Sequence, residues 1–195
     1  MRHRSARHSI VSIFPTSFVA AAIAVGAAGC GGAPAVGPTR DLPPYTGHAV
    51  DLFDDAIEPQ AVGLTMDDDA TPAGDRLLRE RTQVSDAVVR VRIDTVNEKS
   101  ENGDKTYTLT FVLVSHLTGT HDPPQSFTVN VGKSTRAYGI VHSFGERLVS
   151  TKPSFIAFVR LFADGDAGTY HFHCAPDSKE ELAAVTSAAT LAEMR

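Results

Sequence analysis

The chain has 195 residues, with 18 basic and 23 acidic side chains and a net charge of −5. That length holds one modest domain and some connecting chain. The acidic balance argues against nucleic acid as a partner, because binding it takes a basic surface.

The N-terminal stretch reads as an export signal. Residues 1–8 carry Arg2, Arg4 and Arg7 and no acid, and residues 10–29 carry no charge. The run closes on Gly26, Ala27, Ala28 and Gly29, ahead of Cys30. A basic start, an apolar stretch and a small-residue exit are the three parts of a signal peptide. A membrane-spanning segment of about 20 residues is the competing reading. Pro15, Thr16 and Ser17 interrupt the run, and much of the remainder is alanine and glycine, which weakens that alternative.

Ala27-Ala28-Gly29-Cys30 resembles the lipobox of bacterial lipoproteins, although Ala27 stands where leucine is usual. The resemblance implies cleavage before Cys30, acylation of that cysteine, and attachment to a membrane through the lipid. Gly31 after the cysteine implies the outer membrane of a two-membrane bacterium, with the domain in the periplasm or at the surface. The several chains implied at one cysteine would hold durably, where a single chain binds only marginally. Cleavage would leave 166 residues and, with three arginines gone, a net charge of −8. Cys174, the only other cysteine, then has no partner thiol and is expected to be buried.

Residues 30–72 are rich in Gly, Pro, Ala and Asp and are expected to be mostly a flexible tether. Within them, residues 50–57 carry Val50, Leu52, Phe53 and Ile57, which a solvated linker does not need, so this segment is expected to dock as a helical turn. The acidic triplet Asp67-Asp68-Asp69 lacks the glycine and distal glutamate of a calcium loop and reads as solvated.

The folded domain is expected over residues 73–195. Residues 74–84 suit a short helix capped by Asp75, with Leu77, Leu78, Arg81 and Val84 at helical spacing. Five strands follow. Ala87, Val89, Val91 and Ile93 alternate with polar neighbours, and Tyr107, Leu109, Phe111 and Leu113 share one face of residues 106–117. Residues 97–104 between them read as a polar hairpin loop containing Asn102-Gly103. Residues 126–131 bury Phe127, Val129 and Val131. Residues 154–162 are apolar on both faces and need cover on both. The last strand places Tyr170, Phe172 and Cys174 together. A C-terminal helix opens on Ser178 and Glu181, a capping box, and offers Leu182, Val185, Ala189 and Ala192 as the missing cover.

Five strands with a connector between the third and fourth suggest a mainly β fold, an OB-like barrel with a short N-terminal helix and a C-terminal helix. A small β-sandwich is the alternative. The layout also resembles the netrin-like module. Residues 85–91, the tyrosine-bearing second strand, Leu117-Thr118-Gly119 and Gly145-Glu146-Arg147 carry the resemblance. That module is cysteine-rich, and this chain is not.

Candidate chemistry is sparse. Gly132-Lys133-Ser134 has Phe127 where a phosphate loop needs glycine. His171 and His173 lie two apart on one strand face, the spacing of a ligand pair, while Cys174 points to the other face. They are expected to be outward histidines on an edge strand. Arg136, Tyr138 and His142 fall in the connector over residues 136–145, expected to be a loop, and could form a recognition surface. The expectation is an envelope lipoprotein with a non-enzymatic binding or structural role and no cofactor, its partner another envelope protein. The competing class is a metal-dependent or hydrolytic enzyme using His171, His173 and the 136–145 segment.

Overall fold

A computed structural model describes residues 41–65, 71–121, 123–163 and 168–194. The export signal, Cys30, the acidic triplet and most of the turn before the last strand lie outside the described residues. The domain is mainly β, a mixed six-stranded sheet curled into a half-barrel with helices packed on it. The elements in chain order are α1 (His48–Leu52), β1 (Ala56–Ile57), α2 (Arg76–Val84), β2 (Ala87–Glu101), β3 (Asp104–Gly119), β4 (Ser126–Val131), α3 (Tyr138–Thr151), β5 (Ser154–Phe162), β6 (Thr169–Pro176) and α4 (Lys179–Glu193). The sheet order is β1-β6-β5-β2-β3-β4. Only β1 runs parallel to its neighbour, with Ala56 opposite His173.

Alternation places one face of every long strand in a common interior. Val89, Val91 and Ile93 of β2 meet Leu109 and Phe111 of β3, Val129 of β4, Ala157 of β5 and Phe172 of β6. Curling brings the two ends of this face together: Phe127 of β4 lies 5.6 Å from Tyr170 of β6, although three strands separate β4 from β6. Cys174 is fully buried among these residues and unpaired. Residues 138–151 are helix, not the loop expected for the connector. Val141 and Leu148 recur at helical spacing and enter the interior core.

The hairpin differs from expectation in a similar way. β2 and β3 run paired as far as Glu101 and Asp104, leaving a two-residue turn. Asn102 and Gly103 take φ of 53° and 85°. Two successive positive φ values characterise a type I′ turn, which favours Asn-Gly.

The outer face of β5 carries Ile156, Phe158 and Phe162, all fully buried. Its cover is shared: Leu52 and Phe53 come from α1 and the residue after it, Leu78 from α2, and Ala184 and Val185 from α4. On α4 the buried stripe is Glu181, Ala184, Val185 and Ala188, rotated from the expected one, so that Leu182 is half-buried and Ala192 exposed. Ser178 caps this helix, accepting from the Glu181 amide at 3.0 Å. Asp75 caps α2, accepting from the Leu77 amide at 2.8 Å.

Residues 44–62, in the stretch expected to be mostly tether, form a strap across the sheet. The Asp55 amide donates to the Phe172 carbonyl and the Glu58 amide to the Cys174 carbonyl, both at 2.9 Å. The Ala137 amide donates to the Asp55 carbonyl at 2.9 Å. The strap therefore covers β6, which is not an edge strand as expected.

Candidate functional site

The long hairpin outreaches its neighbours. β5 pairs with β2 only as far as Arg92, and β4 pairs with β3 from Tyr107 to Val112, so residues 95–106 form a two-stranded arm. Helix α3 packs against the base of this arm. Gly145 of the helix faces a methyl of Val96, which a Cβ there would meet at 3.4 Å, an ordinary van der Waals distance. Between arm and helix lies an open groove of about 840 Å³, with Val96, Glu98, Tyr107, His142, Ser143 and Glu146 among its lining residues. That volume falls within the range of ligand pockets, ~300–1,000 Å³.

Tyr107 and His142 are joined in the groove, phenol oxygen to Nδ1 at 2.7 Å. The ring of Tyr138 lies parallel to His142, with centroids 5.6 Å apart. Burial, reinforced by the Glu98 carboxylate, holds the Tyr107 phenol above its ordinary pKa. Glu98 is itself held below the usual range by its hydrogen bond from Lys105, at 2.8 Å. A phenol that keeps its proton is a donor rather than a nucleophile. Ser143 follows His142 on the helix, and successive helical residues do not face each other, so the two do not form a nucleophile–base pair. The groove offers an exposed imidazole, a buried phenol and carboxylates beside apolar Val96 and Phe144.

The structure separates Arg136 from this pair. Its guanidinium turns to Asp54 of the strap at 3.0 Å. That contact belongs to a second cluster, which the sequence reading did not anticipate. His173 is buried, with Nδ1 at 2.8 Å from Asp54 and Nε2 at 3.0 Å from Glu58. His171 lies 2.8 Å from Asp55 and stacks on Tyr45 at 3.4 Å between centroids. The expected outward histidines are instead gripped by the strap's carboxylates. Burial pushes the Tyr45 phenol up to about 12, with Asp55 and Asp54 adding to the shift. Arg81, buried on the inner side of α2, donates through Nε to the Leu52 carbonyl at 2.7 Å.

This cluster had a signal in the sequence. Arg81 occupies an apolar position of a helical stripe, and a charge there requires a buried partner. Asp54 and Asp55 follow Leu52 and Phe53, so a segment that docks its apolar residues carries its acids inward as well.

Lys133 of the rejected phosphate motif pairs with Asp104 at the tip of the arm. Among the described residues, no group of three or more His, Cys, Asp or Glu side chains is arranged to hold a metal ion, and no helix is long and apolar enough to cross a membrane. No family model matches the chain, and no curated protein or solved structure matches it.

Proposed function

We propose that the chain is a bacterial envelope lipoprotein, held to the membrane by lipid on Cys30, whose domain binds a partner in the groove between the hairpin arm and α3. The observation that carries the binding reading is the Tyr107–His142 pair, stacked by Tyr138, in which buried Tyr107 holds an exposed His142 imidazole in an 840 Å³ groove. Basic leader, uncharged run and small residues before Cys30 support the anchor. The order β6-β5-β2-β3-β4, with α3 between β4 and β5, supports an OB-like barrel whose last seam is taken by the strap. Binding residues concentrate on loops and on elements that project from rigid scaffolds, as the arm does.

Site-directed photocrosslinking in intact cells tests the binding role. A crosslinker at exposed Ser143 should give a discrete adduct that His142→Ala and Tyr107→Phe together abolish. One at Thr128, exposed on the far edge strand, should give none. Equal labelling from both positions, or an adduct indifferent to the double substitution, would remove the groove as the binding site.

A further inference from the structure

His173 is enclosed by charge from each element that packs on it. Asp54 and Glu58 approach from the strap, Arg81 from α2 and Glu181 from α4, while Phe158 of β5 supplies a ring. Arg136, ahead of α3, reaches the other oxygen of Asp54. Asp75, the cap of α2, faces Glu181.

Both ring nitrogens of His173 meet carboxylate oxygens, at 2.8 and 3.0 Å. A neutral imidazole carries one N–H and can donate to only one of them; the other contact would set lone pair against lone pair. The cation satisfies both. Asp54 and Glu58 flank β1, so these two bonds fasten each end of the strap's pairing with β6.

We propose that His173 is a protonation-dependent latch: its imidazolium clamps Asp54 and Glu58 onto β6, and loss of the proton loosens the strap from the sheet. Burial pulls the imidazole's pKa down, but the hydrogen bonds to Asp54 and Glu58 outweigh it and hold the group above its ordinary value. The latch is therefore closed below the ordinary imidazole value of 6.5 and opens as pH rises through the raised folded value. Released residues 44–58 would lengthen the tether by up to about 50 Å at full extension. That consequence rests on the anchor reading; the latch does not.

Amide hydrogen exchange of the full chain between pH 5 and 9 tests the latch, after correction for intrinsic exchange. The Asp55 and Glu58 amides bond to Phe172 and Cys174 carbonyls and so report strap docking. Their protection should fall at least tenfold as pH rises, while the Val89 amide in the centre of the sheet keeps its own. Constant protection at Asp55 and Glu58 would overturn the proposal. His173→Gln should remove the pH dependence. Glu181→Gln should preserve it; its loss there would make Glu181 the switch and sink the assignment to His173. If His173→Gln does not fold, Glu58→Gln replaces it, since Glu58 is at the rim with its side chain 32% exposed. That variant should move the midpoint to lower pH, and an unmoved midpoint would equally overturn the latch.

Discussion

Asp54 and His173 stand 119 residues apart in the chain and 2.8 Å apart in the fold. Each is almost wholly buried, at 9% and 5% exposure. Asp54 also takes the Arg136 guanidinium. Removing one member of a buried ion pair strands the other, which costs about 3–5 kcal/mol. Asp54→Ala should therefore lower unfolding stability by about 3 kcal/mol or more in urea titration. Arg136→Ala should cost under about 1 kcal/mol, because that side chain is 71% exposed. Similar costs for the two would mean that Asp54 is held by Arg136 rather than by His173.

Stability should fall as pH rises from mildly acid to neutral. Burial, with Glu58 and Asp75 nearby, raises the Glu181 carboxyl from 4.5 to about 7. The folded state then holds more protons than the unfolded chain between these values, so stability declines with rising pH across that window. His173 continues the decline from 6.5 upward until its raised folded pKa is passed. Asp54 acts oppositely. Burial raises its pKa, but His173, Arg81 and Arg136 lower it more, so its contribution is present above 3.8 and is lost as pH falls through the folded value. Thermal melts should show maximal stability on the acid side of neutrality. Glu181→Gln should exceed the parent chain at pH 8 and match it near pH 4. A melting temperature that rises from pH 5 to 8 would contradict these assignments.

Strand positions were largely legible in the sequence, and the chemistry between elements was not. Residues 126–131 show period-two burial, and residues 154–162 form an apolar run buried on both faces that starts after Pro153, so both sets of bounds are legible in the sequence. Residues 97–101 are polar and predict a loop, yet they are strand. Backbone pairing holds them, and it leaves no hydrophobic trace. Gly139, Gly145 and several β-branched residues depress helix propensity over α3 and predict a loop, while burial of Val141 and Leu148 outweighs them. β1 has two residues, too few to show any period. The partners of His171 and His173 arrive from more than 110 residues away, a separation that spacing rules do not reach.

Val185 carries the contact between α4 and the sheet's outer face, and it is 1% exposed. Val185→Ala should cost about 2 kcal/mol, from lost burial and the cavity left behind. Val185→Asp should cause unfolding or aggregation. Leu182, half-buried, should tolerate alanine with a smaller loss than Val185. Calorimetry of the three variants settles the orientation of the helix. A larger loss at Leu182 would restore the stripe read from the sequence.

Cys174 is fully buried, and burial pushes its thiol well above the ordinary value, with Glu58 next in effect. In a chain carrying Cys30→Ala, a thiol reagent should leave Cys174 unmodified in the native state and label it fully in denaturant. Rapid native labelling would mean that β6 is shifted by one residue, which exchanges its two faces.

The anchor is the claim on which the rest of the biology depends, and mass spectrometry of the N-terminal peptide from the membrane-extracted protein tests it most directly. The expected peptide begins at Cys30 and carries acyl groups on that residue. Cys30→Ala should abolish the acyl mass and leave the protein in the soluble fraction. A mature protein that begins elsewhere, or an unmodified Cys30 in a chain that still sediments with membranes, would contradict it.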